Sequence, residues 1–228
     1  GFCRVSAHST LATVSELALP EDCIRASRTA LGVRFPIVDG ATSAQRLVEL
    51  TISGVPVLLD RSQGAVEWLG QALSDAVTDL DEEALRDPIE RERVSVRQRR
   101  LALKHHSTSA RMRQIRLAAG LPVLPEPSVS VVVATKRPAM LNGIISAVAS
   151  QDHPNVELIL ALHGDGFPVD DISVPEDLPV SVLRFPSDVT LGEVLSKASS
   201  AASGEWLAKM DDDDWYGCEH LSDLLLAA

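Results

Sequence analysis

Val129-Ser130-Val131-Val132-Val133-Ala134 is a β-branched run of the kind that a strand buried on both faces requires. The residues after it narrow the fold further. Thr135-Lys136-Arg137-Pro138 turns the chain, with Pro138 suited to the first position of a helix, and Met140, Ile144, Ile145 and Val148 recur at helical spacing. Glu157 to Leu162 reads as a second strand, ending in His163-Gly164-Asp165-Gly166, and Pro179 to Phe185 as a third. Leu191, Val194, Leu195 and Ala198 mark another helix, closed by Ser203-Gly204. Trp206 to Met210 is a fourth strand that runs directly into Asp211-Asp212-Asp213-Asp214. This alternation predicts an α/β, Rossmann-like, mostly parallel sheet with flanking helices. Ligands of such sheets bind beyond the carboxyl ends of the strands. Thr135, His163, Asp165 and the four aspartates all fall there.

Ahead of this region, Pro122, Pro125 and Pro127 lie within six residues and favour an extended linker. The predicted organisation is a partial α/β domain over 1–121, a linker over 122–127 and a second domain over 128–228. In the first part, Ser53 to Leu59 reads as a turn feeding a short buried strand. It is preceded by a helix over Thr42 to Thr51 with Ser43 as N-cap. From Asp87-Pro88 the pattern becomes helical and basic, and Arg86 to Arg116 holds ten Arg and Lys against three Asp and Glu. That run is read as the solvated face of a long helix packed on an α/β core. His105 and His106 are adjacent, so on a helix they point about 100° apart and do not chelate one metal.

Charge separates the two parts. Residues 1–127 carry 16 basic and 16 acidic side chains, whereas 128–228 carry 5 and 16, so the whole net charge of -11 sits in the second part. Such a domain repels nucleic acid. A phosphorylated ligand there calls for a divalent cation between carboxylate and phosphate. Cys3, Cys23 and Cys218 are widely spaced and odd in number, which points to small, buried or partly buried thiols in a reducing, cytoplasmic setting. No stretch approaches the roughly 18 apolar residues of a membrane span. P-loop, GxSxG, HExxH and GxGxxG motifs are absent from the sequence. The chain starts on Gly1 and stops at Leu225-Leu226-Ala227-Ala228 within an apolar helical pattern, so it is expected to be a segment of a longer protein.

Four consecutive aspartates at a strand end repel one another and resist desolvation unless something cationic is present. In extended chain Asp211 and Asp213 project to one side and Asp212 and Asp214 to the other. Either pair can offer oxygen ligands to Mn²⁺ or Mg²⁺, which completes its shell with water and substrate phosphates. Counting alone leaves both registers open. The plainer alternative for the run is a solvated acidic turn.

With these motifs in place, residues 128–228 resemble the N-terminal, nucleotide-sugar-binding half of a family 2 glycosyltransferase of the GT-A fold. The resemblance rests on Val129 to Thr135 with Arg137-Pro138, on Ser150-Gln151-Asp152-His153-Pro154-Asn155-Val156-Glu157-Leu158-Ile159, and on Ala202 to Tyr216 followed by Glu219-His220-Leu221. It implies nucleotide-sugar contacts at Thr135, Lys136, Arg137, His163, Asp165, Asp211 and Asp212. It also implies a metal, Mn²⁺ or Mg²⁺, at Asp211 and Asp213 of an Asp-x-Asp motif. The family's second strand usually ends in Asp-Asp-Gly-Ser, and His163-Gly164-Asp165-Gly166 departs from that. The reaction implied is transfer of a sugar, with inversion, to an acceptor hydroxyl of a carbohydrate or glycoconjugate. The general base and acceptor site are expected beyond residue 228, which would leave the segment inactive by itself.

Residues 1–127 carry a fainter resemblance, through Arg46 to Val57, Asp87-Pro88 and a helix over Arg91 to Leu117, to the C-terminal end of GT-B-type glycosyltransferases. There Glu49 would face a donor ribose. The rival readings are a nucleotidyltransferase, which normally has a glycine-rich basic loop after the first strand, and a non-catalytic binding or scaffold module that kept the fold. Among scattered residues, His8, His153 and His220 read as surface or satisfied polar groups. Trp206 reads as core, and Trp215 and Tyr216 as core or pocket wall.

Overall fold

The computed structural model describes residues 3–4, 12–14, 33–35, 40–59, 65–78, 80–81, 83–167 and 172–228. The readings of His8 and Cys23 lie outside them. The chain divides into two compact units, Gly1–Val123 and Leu124–Ala228.

In the first unit, strands β1 (Cys3–Arg4), β2 (Ala12–Val14), β3 (Val33–Phe35) and β4 (Val57–Leu59) line up in that order, β1 antiparallel to β2 and the rest parallel. Helix α1 (Ala41–Ile52) starts before the residue read as its cap. Gly40 takes the capping position with φ of 92°, a conformation that side chains disfavour, so Ser43 falls inside the helix. Helix α2 (Ala65–Thr78) is broken at Gly70, where φ is 73°. Leu47 and Leu50 of α1, Val57 and Leu59 of β4, and Leu69, Leu73 and Val77 of α2 form the core with Ala102.

The basic run forms α3 (Pro88–His106) and α4 (Thr108–Ala118), with the predicted continuous helix interrupted at Ser107. Asp87 caps α3 by accepting from the Ile89 amide, and Ser107 caps α4 by accepting from Ala110. The buried residues of α3 are Ser95, Gln98 and Ala102, at helical spacing. This inner stripe is mostly polar and hydrogen-bonds to backbone. Gln98 accepts from the Val57 amide at 2.8 Å and donates to the carbonyls of Val57 (2.7 Å) and Ala76 (3.0 Å). Ser95 donates to the Gly54 carbonyl at 2.7 Å. His106 donates through Nε2 to the Leu69 carbonyl and accepts at Nδ1 from Arg111, and burial holds its pKa below the usual histidine value.

The second unit holds β5 (Val129–Thr135), a 3-10 turn (Pro138–Met140), α5 (Leu141–Ala149), β6 (Val156–His163), β7 (Val180–Phe185), α6 (Leu191–Ser200), β8 (Trp206–Lys209) and α7 (His220–Ala227). Its sheet has the order β7-β6-β5-β8, with every pair parallel. Alternate residues serve opposite faces. Val131, Val133, Leu158, Leu160 and Leu162 pack with Leu141, Ile144, Ile145 and Val148 of α5, and Val132, Ile159 and Ala161 pack with Val194 and Ala198 of α6. Met140 lies in the 3-10 turn and is exposed, so the apolar stripe of α5 begins at Leu141. Thr190 and Glu193 form a reciprocal capping box on α6.

Among the described residues strand β8 is paired on one side only, and Trp206 is 48% exposed, which corrects its reading as core. At the opposite end of the sheet from the aspartates, the Glu157 carboxylate accepts from Ser130 and from the amide and hydroxyl of Ser203, and the Gly204 amide donates to Ser130 Oγ at 2.8 Å. Burial alone would raise the Glu157 pKa, but these hydrogen bonds outweigh it and hold the carboxyl below its ordinary value.

Candidate functional site

After β5 the chain builds outward through β6 and β7, then returns by α6 to place β8 on the other side of β5. The order therefore reverses between β5 and β8, which makes their carboxyl ends the ligand crevice expected of an open α/β sheet. Thr135 closes β5 and the aspartate run follows β8 after the single residue Met210, so both candidate groups flank this crevice.

Four side chains meet across it. Thr135 Oγ1 donates to Asp212 Oδ2. The Arg137 guanidinium takes Asp212 with both arms, through Nε to Oδ2 at 3.0 Å and through Nη2 to Oδ1, and reaches Asp213 Oδ2 at 3.0 Å. The bend that aims Arg137 is local, because its backbone amide donates to Thr135 Oγ1 at 3.0 Å. The Arg137 hydrogen bond, with a smaller contribution from Thr135, holds the Asp212 carboxyl below its ordinary pKa despite partial burial. Arg137 is raised in turn by Asp212 and then Asp213.

The remaining predicted residues are placed differently. Asp211 pairs with Lys209, and its amide donates to Tyr216 Oη at 2.8 Å. Asp214 and Lys136 are exposed. His163, at the end of β6, is only 3% exposed, and neither ring nitrogen has a hydrogen-bond partner among the described residues. Asp165 is exposed in the turn after Gly164, whose φ is 118°. A Cβ built on Gly166 would lie 3.9 Å from Pro138, so this turn borders the Arg137-Pro138 loop. Trp215 is 89% exposed and so lies outside the core, whereas Tyr216 is half-buried against His220. Cys218 is an exposed thiol, which corrects its reading as buried or partly buried, and hydrogen bonding to Glu219 raises its pKa. In the first unit, Glu49 pairs with Gln45 and Arg46 on α1. Among the described residues no three His, Cys, Asp or Glu are grouped to hold a metal by themselves.

Sequence reasoning gave no physical role to Gln151, Asp152 and Asn155, and read His153 as a surface or satisfied polar group, of which the structure shows the second: it is buried and hydrogen-bonded. Gln151 donates to the Gly217 carbonyl at 2.9 Å and accepts from the Leu221 amide at 3.1 Å. The Asp152 amide donates to the Cys218 carbonyl at 2.8 Å. His153 donates to the Pro127 carbonyl and Asn155 to that of Glu126, both at 2.7 Å. The signal that could have found them was a cluster of amide and imidazole side chains between a helix end and a buried strand, where few apolar partners can anchor the chain.

The Asp212 contacts make a pH prediction. A carboxyl whose folded pKa is depressed contributes stability above its unfolded pKa, and that contribution is lost as pH falls through the folded value. Thermal melts of wild type and Asp212→Asn should therefore differ at neutral pH and converge below about pH 4. A constant offset across the series would show that Asp212 is not held as an ion pair.

No curated protein matches the chain. The family model described as Glycosyl transferase family 2 matches residues 130–228, the stretch that carries the reversed parallel sheet, the Thr135 and Arg137 loop and the aspartate run. Residues 130–228 thus form a family 2 glycosyltransferase segment.

Proposed function

We propose that the second unit binds a nucleoside-diphosphate sugar at the carboxyl ends of β5, β6 and β8, for transfer of the sugar to an acceptor hydroxyl. The observation that carries this reading is the contact of Thr135 and Arg137 with Asp212 across the strand-order reversal. Asp212 meets the β5 loop through three hydrogen bonds, against one Arg137 contact for Asp213 and one Lys209 contact for Asp211, which supports Asp211 and Asp213 as the metal pair. Both are half-exposed carboxylates whose oxygens suit a hard cation. Mn²⁺ or Mg²⁺ held there supplies positive charge toward the diphosphate leaving group. Arg137 adds a fixed guanidinium beside the same phosphates, and Thr135 and Asp212 offer oxygens to the ribose. His163 and Asp165 border the base. Inverting transfer into a polysaccharide or glycoconjugate, in a cytoplasmic setting, completes the proposal by family analogy. No helix among the described residues is long and apolar enough to cross a membrane.

The test is calorimetric titration of the chain with UDP, GDP and dTDP, with and without Mn²⁺, beside the Asp211→Asn/Asp213→Asn double variant. One nucleotide should bind only with metal, and the double variant should bind none. Absence of binding by the folded wild-type chain would favour the scaffold reading. Equal binding by the double variant would move the metal elsewhere.

A further inference from the structure

The geometry points to Gln151, which contacts none of the proposed ligand groups, as the positioning residue that presents the aspartate run to a divalent cation and a nucleoside diphosphate. This rests on the binding reading above. Met210 and Leu221 are buried, but none of the ten residues 211–220 between them is. Apolar packing therefore holds the two ends of the segment and reaches the core between them through the half-buried Tyr216, but it touches none of the four aspartates. Hydrogen bonds must place the rest, and they converge on the corner between α5 and β6.

Gln151 supplies both halves of an amide there. Its Oε1 accepts from Leu221, and its Nε2 donates to the carbonyls of Gly217 and Ala147. Asp152 adds its amide to the Cys218 carbonyl and its carboxylate to the Ser222 hydroxyl. From Gly217 the linkage passes to the adjacent Tyr216. The Tyr216 ring lies 4.9 Å from that of His220, and its hydroxyl accepts the Asp211 amide. The path from Gln151 to the first aspartate is thus a continuous set of contacts. A near-buried amide that meets carbonyls and an N–H at once cannot be replaced by a carboxylate or thioether without stranding a backbone group.

The test uses the whole chain labelled with 5-fluorotryptophan. Its three tryptophans include Trp215, inside the segment and assignable with Trp215→Phe. In Gln151→Met the Trp215 ¹⁹F resonance should shift or split while those of Trp68 and Trp206 stay. Mn²⁺-dependent affinity for the nucleotide that wild type prefers among UDP, GDP and dTDP should fall about tenfold, the scale seen when an outer partner of a metal ligand is removed. Tyr216→Phe, which deletes only the hydroxyl, should weaken binding in the same direction and serves if Gln151→Met does not fold. An unmoved Trp215 resonance, or affinity within twofold of wild type in the folded variants, would overturn the inference while leaving the binding reading intact. A folded wild-type chain that binds no nucleotide with Mn²⁺ would overturn both.

Discussion

Gly204→Ala is expected to destabilise the second unit by about 3 kcal/mol, at the upper end of the usual cost of forcing atoms into a filled site. A Cβ at this position would lie 2.7 Å from both the amide nitrogen and Oγ of Ser130, and 3.0 Å from the Val129 carbonyl carbon. Those atoms belong to β5, held between β6 and β8, so backbone rather than a flexible side chain would have to yield. The displacement would also pull the Gly204 amide from Ser130 Oγ and loosen the groups that hold the Glu157 carboxylate. Gly192, in the first turn of α6, is the internal control. Nothing lies within 4 Å of a Cβ there, and alanine should be neutral or slightly stabilising on helix propensity. Urea denaturation monitored by circular dichroism measures both. Equal stability of the two variants would contradict the close approach at Ser130.

In the first unit, Gln98→Leu should cost about 3 kcal/mol although it places an apolar side chain of similar volume in a buried position. Gln98 satisfies the amide and carbonyl of Val57 and the carbonyl of Ala76, and leucine leaves all three backbone groups without that partner. The direct observable is hydrogen exchange. The Val57 amide should be protected in wild type and exchange far faster in Gln98→Leu, with amides inside α1 little changed. Retained protection at Val57 would remove the basis for this cost.

The β-branched and apolar runs made most of the second unit legible, because β5 to β8 and α5 and α6 each carry their own periodicity. Strand-end placement also made Thr135 and the aspartates visible as candidates. Which pair would hold a metal was not visible, since both Asp pairings satisfy the same alternation. The structure adds the cation partners, Arg137 for Asp212 and Asp213 and Lys209 for Asp211. Trp206 was misread because apolarity marks a strand without saying whether it has neighbours on both sides. Gln98 and Gln151 escaped for a shared reason. Each acts on backbone groups tens of residues away, 41 positions for Gln98 and Val57 and 66 for Gln151 and Gly217, and no local pattern encodes such a partner. In α3 the result is a helix whose inner face looks as polar as its outer one. The break at Ser107 likewise came from a single capping hydroxyl in a basic run that otherwise reads as unbroken.

The Gln98 contacts also bear on association. Among the described residues strand β4 ends the order β1-β2-β3-β4, and the Val57 groups that Gln98 occupies are those that an incoming strand would use. A helix side chain thus stands in for one rung of a missing neighbour, in the manner by which natural sheets guard an exposed edge. At Val57 the ladder is closed to recruitment by another polypeptide, and this part of the sheet cannot template its own polymerisation while α3 stays docked.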